Sequence, residues 1–382
     1  MVDVTIERIL PGGVGLAHAD GKTLFISLAV KGDRVLARID REQGNLLFGS
    51  VVQVLEASPD RIEPPCPYFG RCGGCDFQQM NYEAQLIAKA EIIQDCFHRI
   101  ARIELPDLKV VPSPTPWHYR ARATWQLDPE LHTIGYYERG SRTVCDVAEC
   151  AVLVPELQQT LEQLRGTSPQ EIPITLKHLD VVVGDSGVSL SPSFANFETK
   201  VLSLSVEGET YSYSAEAFFQ VNPNVLAELL EFALNDVAGE TALDLYCGVG
   251  LFTLPLARRF TRVVGVEANS VATRFARRNL QDADLENATI ITSSLNDWIR
   301  TTRTEVDFVL LDPPRAGAEN SVIKGILDLK PKAICYVSCD PATLARDLKK
   351  LLAGGFAVEG VLGFDMFPQT HHVETVVKLK RP

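Results

Sequence analysis

Apolar and polar positions alternate from the first residues of the chain. Short runs of this kind are Val4–Leu10 before Pro11-Gly12-Gly13, Thr23–Val30, Arg34–Ile39 and Leu46–Leu55 after Gly44-Asn45. Alternation of period two, broken by glycine turns, predicts strands, and about five of them in so short a stretch predict a small OB-like barrel over residues 1–58. A long helix is expected from Tyr82 to Ile103, then mostly strands over 110–220 with a helix near Pro155–Arg165. This gives a central α+β domain built from 59–103 plus 104–232.

From Ala233 the pattern changes. Continuous apolar runs at Ala242–Leu245, Val263–Glu267, Ala288–Thr292, Val306–Leu311, Ala333–Ser338, Val358–Gly363 and Val373–Lys380 are separated by helical stretches such as Val271–Leu280 and Pro341–Leu352. Strands alternating with helices mean a parallel, doubly wound α/β sheet, here a Rossmann-like domain over 233–382, with its chemistry in loops at the carboxyl ends of the strands.

Composition adds little to this picture. At 382 residues, 46% hydrophobic and 23% charged, the chain reads as a multi-domain soluble protein. No apolar stretch approaches the roughly 18 residues of a membrane span, and Met1-Val-Asp-Val-Thr-Ile-Glu-Arg has no signal-peptide pattern. A cytoplasmic monomer with no membrane partner is expected. The net charge of −12 argues mildly against nucleic acid. Local distribution argues the other way. Arg99, Arg102, Lys109, Arg120, Arg122, Arg139 and Arg142 interleave with Trp117, His118, Trp125, Tyr136 and Tyr137, a mixture suited to phosphates and stacked bases. An ordinary half-buried sheet with arginines on its wet face fits equally well.

The strand ending at Leu245 leads into Asp244-Leu-Tyr246-Cys-Gly248-Val-Gly250-Leu-Phe. Two glycines let backbone approach a ligand, and Glu267 at the next strand end is placed for ribose hydroxyls, unless it is merely a solvated strand-end carboxylate. Thr253 stands where a dinucleotide loop carries its third glycine, which tilts the reading towards S-adenosylmethionine.

Two further strand ends carry Asp312-Pro-Pro-Arg315 and Ser338-Cys339-Asp-Pro-Ala-Thr-Leu-Ala-Arg346. A lone cysteine after an apolar strand is normally a small buried hydrophobe. Cys339, however, faces the cofactor cleft by topology, and a following helix N-terminus lowers a thiol pKa. The run Met366-Phe-Pro-Gln-Thr-His371-His372-Val-Glu374 adds a carboxylate among apolar residues, suited to general-base work or else a satisfied surface group. One thiolate, one carboxylate and a sulfonium methyl donor suffice to methylate carbon 5 of uracil. The thiolate adds at carbon 6, the resulting enolate takes the methyl group, and the base removes the carbon-5 proton so that the thiol leaves. Competing readings are an iron–sulfur or flavin oxidoreductase, a non-catalytic RNA-binding protein, and an amino-group methyltransferase, which needs no nucleophilic cysteine.

The odd count of nine cysteines in a large, apparently cytosolic chain speaks against a disulfide framework. Cys66, Cys72 and Cys75 form a tight knot with a fourth ligand to come from Cys96, Cys145 or Cys150, in a pattern that fits zinc or a four-iron cluster. Nothing in the sequence places these cysteines near the cleft, so a structural role is expected for the group they hold.

The motifs at Phe218-Phe-Gln220-Val-Asn222, Asp244, Asp312-Pro-Pro-Arg, Ser338 to Asp347 and Met366 to Glu374 together resemble the RNA 5-methyluridine methyltransferase family. The resemblance covers nearly the whole chain. It implies Cys339 as nucleophile and Glu374 as the proton-abstracting base, with Gln220, Tyr246, Glu267 and Asp312 lining the cofactor and uracil site. It implies a [4Fe–4S] cluster on Cys66, Cys72, Cys75 and Cys150, with zinc the lesser alternative, and an N-terminal TRAM barrel. Cluster and barrel together resemble the members acting on large-subunit ribosomal RNA, with transfer RNA as the alternative substrate. The adenine is expected near Ser293–Asn296. Leu251 departs from the family, whose members often carry Asn there, and takes no role.

Overall fold

The computed structural model describes residues 1–302 and 305–381. Six strands, Val2–Thr5, Arg8–Leu10, Val14–Ala19, Lys22–Ser27, Arg34–Gln43 and Leu46–Glu56, form the N-terminal sheet. The first apolar run is thus two strands, because the chain turns at Ile6 and Glu7, whose amides bond to Asp33 and Leu16 carbonyls. The core of this sheet, with Leu24, Ile26, Val35 and Ala37 fully buried, extends into Phe77, Met80, Ala88 and Ile92. The barrel therefore closes on the helix Tyr82–Cys96, whose N-cap Asn81 accepts the Ala84 amide. That helix is shorter than expected. It runs into a π-turn at Phe97–Ala101 and ends at Arg102 in the left-handed region, φ 62°.

A five-stranded antiparallel sheet follows, in the order Val144–Asp146, Thr133–Tyr137, Arg122–Asp128, His178–Gly184, Gly187–Ser191. The helix Pro155–Gly166 packs Leu157, Leu161 and Leu164 against it. The mixed cation–aromatic stretch is not one open surface here. Trp125 has no exposed area, Arg122 donates to the Ala215 and Ala217 carbonyls, and Arg139 donates to the Cys75 carbonyl. These side chains hold the protein together, so base stacking on Trp125 is ruled out by its burial.

The large sheet has eight strands in the order Ala288–Thr292, Phe260–Glu267, Gly239–Leu245, Phe308–Leu311, Ala333–Ser338, Glu374–Lys380, Ala357–Phe364, Val110–Val111. Its first five strands are parallel. The apolar runs of the inner three, Gly239–Leu245, Phe308–Leu311 and Ala333–Ser338, follow from burial on both faces. Leu243, Leu245, Val309 and Leu311 point into one core, while Ala242 and Leu310 point into the other. The sheet is not parallel throughout, as the alternation had suggested. Glu374–Lys380 runs antiparallel to both its neighbours. Consequently its first residue lies at the same sheet edge as the last residues of the parallel strands. The helix Tyr82–Cys96 and the strand Val110–Val111 also belong to the packing of this sheet, through Ile93, Cys96 and the Gly363–Val110 pairing. Among the described residues no helix is long and apolar enough to cross a membrane.

Candidate active site

Five of the singled-out residues stand on or just beyond the ends of adjacent strands. In strand order they are Glu267, Tyr246, Asp312, Cys339 and Glu374. At roughly 4.8 Å per strand, the row spans on the order of 20 Å. Its crossover point lies between Gly239–Leu245 and Phe308–Leu311, where doubly wound sheets open a crevice.

The cofactor end is built around Glu267. Its carboxylate accepts the Gly248 amide at 3.2 Å and the Asn269 amide at 2.7 Å, so it ties the glycine loop to the N-terminus of the helix Ser270–Asp282. Gly248 and Gly250 adopt positive φ, which a β-carbon would strain. Tyr246 does so too, at φ 65°, with its amide donating to Val266. Such strain in a non-glycine residue costs about 1–3 kcal/mol and collects at functional sites. Thr253 proves to be more than a missing glycine. Its hydroxyl donates to the fully buried Asp244, whose other carboxylate oxygen has no hydrogen-bond partner. Burial pushes the Asp244 carboxyl up to about 7. At the third strand end, Ser294 caps the helix Leu295–Thr301 and Asn296 pairs with Ser321. Leu251 is buried, its carbonyl held by the Tyr211 hydroxyl.

The reactive end gathers Asp312, Cys339, Glu374, Arg315 and Gln220. Asp312 follows its strand directly and its amide reaches the Leu245 carbonyl. Gln220 comes from outside the sheet and aims its amide nitrogen at Asp312 Oδ2, 3.5 Å away. Asn222 of the same motif is structural, since it is fully buried and bonded to Ser113 Oγ. Glu374 is 3% exposed, and burial together with Asp312 pushes its carboxyl well above the usual range. Asp312 itself is raised to about 7 by burial.

Cys339 corrects an expectation. The helix Pro341–Ala353 does start just beyond it, with Asp340 as N-cap accepting the Thr343 amide. Its thiol is nonetheless pushed up to about 12, first by burial and then by Glu374, with Asp312 and Asp340 adding to it, while Arg315 alone pulls it down. A helix dipole acts within its first turn and is outweighed here by desolvation and three carboxylates. Arg315 donates to His372 Nε2 at 3.3 Å. Burial, His371 and Arg315 hold His372 down at about 2, so it is neutral and accepts.

Cys66, Cys72, Cys75 and Cys150 line one small cavity, together with Arg120, Tyr136 and Gln78. Arg120 Nε, Tyr136 Oη and Gln78 Oε1 are buried without hydrogen-bond partners among the described residues, and the Gly74 amide donates to Cys72 Sγ at 3.4 Å. Cys96 and Cys145, the other candidates for a fourth ligand, are buried and lie outside this lining. Among the described residues no three His, Cys, Asp or Glu side chains are grouped so as to hold a single metal ion. The cysteine loop is not remote from the cleft, contrary to the sequence reading. Asp76, next to Cys75, bonds to His371, three residues before Glu374.

The chain is similar to known proteins along its whole length. The family model described as tRNA (uracil-5-)-methyltransferase matches residues 195–382. An uncharacterized RNA methyltransferase of Halalkalibacterium halodurans is 33% identical, over 100% of this chain and 97% of its own. The 23S rRNA (uracil(1939)-C(5))-methyltransferase of Pectobacterium atrosepticum is 33% identical over 98% and 92%. The crystal structure of the Pyrococcus abyssi tRNA (uracil-54, C5)-methyltransferase with S-adenosyl-L-homocysteine superposes with a TM-score of 0.75 at 25% identity, covering 98% of this chain and all of that one. A third of all positions shared from end to end with such relatives, around a site of this build, means that the chain belongs to the RNA (uracil-5-)-methyltransferase family.

Proposed function

We propose that the protein transfers a methyl group from S-adenosylmethionine to carbon 5 of a uridine in RNA, with Cys339 as covalent nucleophile and Glu374 as base. The observation that carries this reading is the row across the sheet edge, which puts a cofactor-type end at Glu267 and Tyr246 and a thiol–carboxylate pair two strands away. When bound, S-adenosylmethionine would supply the electrophilic methyl group. Gln220, Tyr246, Glu267 and Asp312 are the residues assigned to hold cofactor and uracil. Strand pairing of Ser338 with Thr375 brings Cys339 beside Glu374, so one side chain can attack carbon 6 while the other reaches the proton on carbon 5. The same burial that raises Glu374 makes it a strong proton acceptor. Arg315 is the cation available to the thiolate and to the enolate charge.

RNA as substrate is supported by relatives named for ribosomal and transfer RNA and by Phe218, 58% exposed beside Gln220 with the Arg122 guanidinium 5.8 Å from its ring. Ribosomal RNA is the favoured substrate, because the named relatives of a third identity act on it; transfer RNA is the alternative, carried by the superposed structure. The uridine must leave its stack to reach the cleft, at about a few kcal/mol. The division at 1–58, 59–232 and 233–382 enters the proposal as barrel and middle sheet gripping RNA while the large sheet does the chemistry. A thiolate-bound [4Fe–4S] cluster on the four cysteines that line one cavity, faced by the Arg120 cation, would brace the loop; zinc is the lesser alternative, as a single ion for which these thiols are not grouped. An absorption spectrum and metal analysis of anaerobically purified protein decide between them.

The function is tested with methyl-labelled cofactor and ribosomal or transfer RNA. Cys339→Ala should abolish labelling while S-adenosylhomocysteine still binds. Glu374→Gln should accumulate a protein–RNA adduct that survives denaturing gels. Full labelling by Cys339→Ala would sink the covalent mechanism.

A further inference from the structure

The segment from Asp365 to Val373, which delivers Glu374 to the cleft, has almost no partners of its own in the sheet. It is gripped by residues far away in sequence. The Asp76 and Phe77 amides both donate to the Gln369 carbonyl, at 3.1 and 3.0 Å. The Asp76 carboxylate then clamps His371 twice, Oδ1 accepting the backbone amide at 2.8 Å and Oδ2 accepting Nδ1 at 2.5 Å. The His371 ring lies 4.0 Å from that of His372, and His372 Nε2 takes the hydrogen bond of Arg315. On the other side the barrel closes in. A β-carbon on Gly13, in the turn before Val14–Ala19, would stand 3.0 Å from His371 Cβ and 3.3 Å from Asp76 Oδ2. Barrel turn, cysteine loop and base-bearing segment thus meet at a single carboxylate–imidazole pair.

We propose that Asp76 is a positioning residue for methyl transfer, acting through His371 and His372 on Arg315 and on the approach of Glu374. The inference rests on the proposed roles of Cys339 and Glu374. Its physical content is rigidity. A charge-assisted, two-point clamp fixes both the backbone and the ring of His371, and His372, its ring in contact with that of His371 and tilted 43° to it, can then hold the Arg315 guanidinium towards the thiol. The cysteine loop is thereby a mechanical part of the active site, and its order is transmitted along Cys75, Asp76 and His371.

The test compares wild type, Asp76→Ala, Asp76→Asn, His371→Gln and the double variant Asp76→Ala/His371→Gln in steady-state methylation of RNA, with thermal unfolding in parallel. Asp76→Ala should lower kcat by roughly 10- to 100-fold, the scale of a small misplacement, with KM for RNA within about threefold. Asp76→Asn, which keeps an oxygen for the His371 amide, should recover most of the loss. The double variant should be no slower than the worse single one. Should Asp76→Ala fail to fold, His371→Gln, which leaves the cysteine loop intact, must reproduce the kcat loss. A kcat within about twofold of wild type for Asp76→Ala or His371→Gln overturns the proposal, as does an Asn variant no better than the Ala one. A wild type that leaves uridine unmethylated overturns the function reading instead.

Discussion

Lys89 and Asp365 form an ion pair in which neither side chain has any exposed area. The ammonium also donates to the Phe367 carbonyl at 3.0 Å, so a lysine on the helix Tyr82–Cys96 fixes the start of the base-bearing segment. Replacing it by methionine keeps nearly the same length and apolar bulk and removes only the charge and its donors. Among the described residues Asp365 Oδ2 already lacks a hydrogen-bond partner, so the variant leaves the carboxylate buried without its cation, with only the Tyr82 hydroxyl near it, and strands one carbonyl as well. Removing one member of a buried pair costs about 3–5 kcal/mol. With about 2–4 °C per kcal/mol in a domain of this size, the fall in Tm should be on the order of 10 °C. Thermal unfolding followed by circular dichroism measures it. The companion variant Lys89→Met/Asp365→Leu replaces the pair by apolar groups and should regain most of the loss, because the desolvation of both charges disappears with them. A Tm for Lys89→Met within about 2 °C of wild type would refute the reasoning, and so would a double variant as unstable as the single.

Three further outcomes follow from the site. Glu374 is raised above the carboxylate range and the Cys339 thiol is pushed up as well, and both must be ionised to act, so methylation at saturating substrates should climb with pH above the ordinary carboxylate range rather than stay flat. Asp312 raises both Glu374 and Cys339 by its charge; Asp312→Asn should therefore shift the rising limb of the remaining activity to lower pH, and an unmoved or upward-shifted limb contradicts the assignment. Thr253→Val removes the one hydrogen bond to buried Asp244 and should cost about 1–3 kcal/mol of stability and weaken S-adenosylhomocysteine binding, whereas Thr253→Ser should retain both, as denaturation and calorimetry will show.

Most of the large sheet was legible in the chain because a strand buried on both faces must be apolar at nearly every position, and Ala333–Ser338, buried from Ile334 onward, falls where the pattern puts it, as does the more exposed edge strand Ala288–Thr292. The residues of the reactive row were legible for the same reason. Glu267, Tyr246, Asp312 and Cys339 each stand where an apolar run stops, and in an open α/β sheet that is where side chains meet a ligand. Sequence alone could not show that Glu374 begins a strand of reversed direction, since a single strand carries no mark of its partner's sense, yet that reversal is what brings it beside Cys339. It left the stretch from Arg99 to Arg142 open between a nucleic-acid face and an ordinary half-buried sheet, because exposure of an arginine or tryptophan depends on what covers it, and Trp125 is covered completely. It also misjudged the Cys339 thiol, because burial and neighbouring carboxylates are properties of the assembled cleft and outweigh the helix that the local sequence announces. The link from Asp76 to His371 joins residues 295 positions apart, and only the tertiary structure could bring that carboxylate to that imidazole.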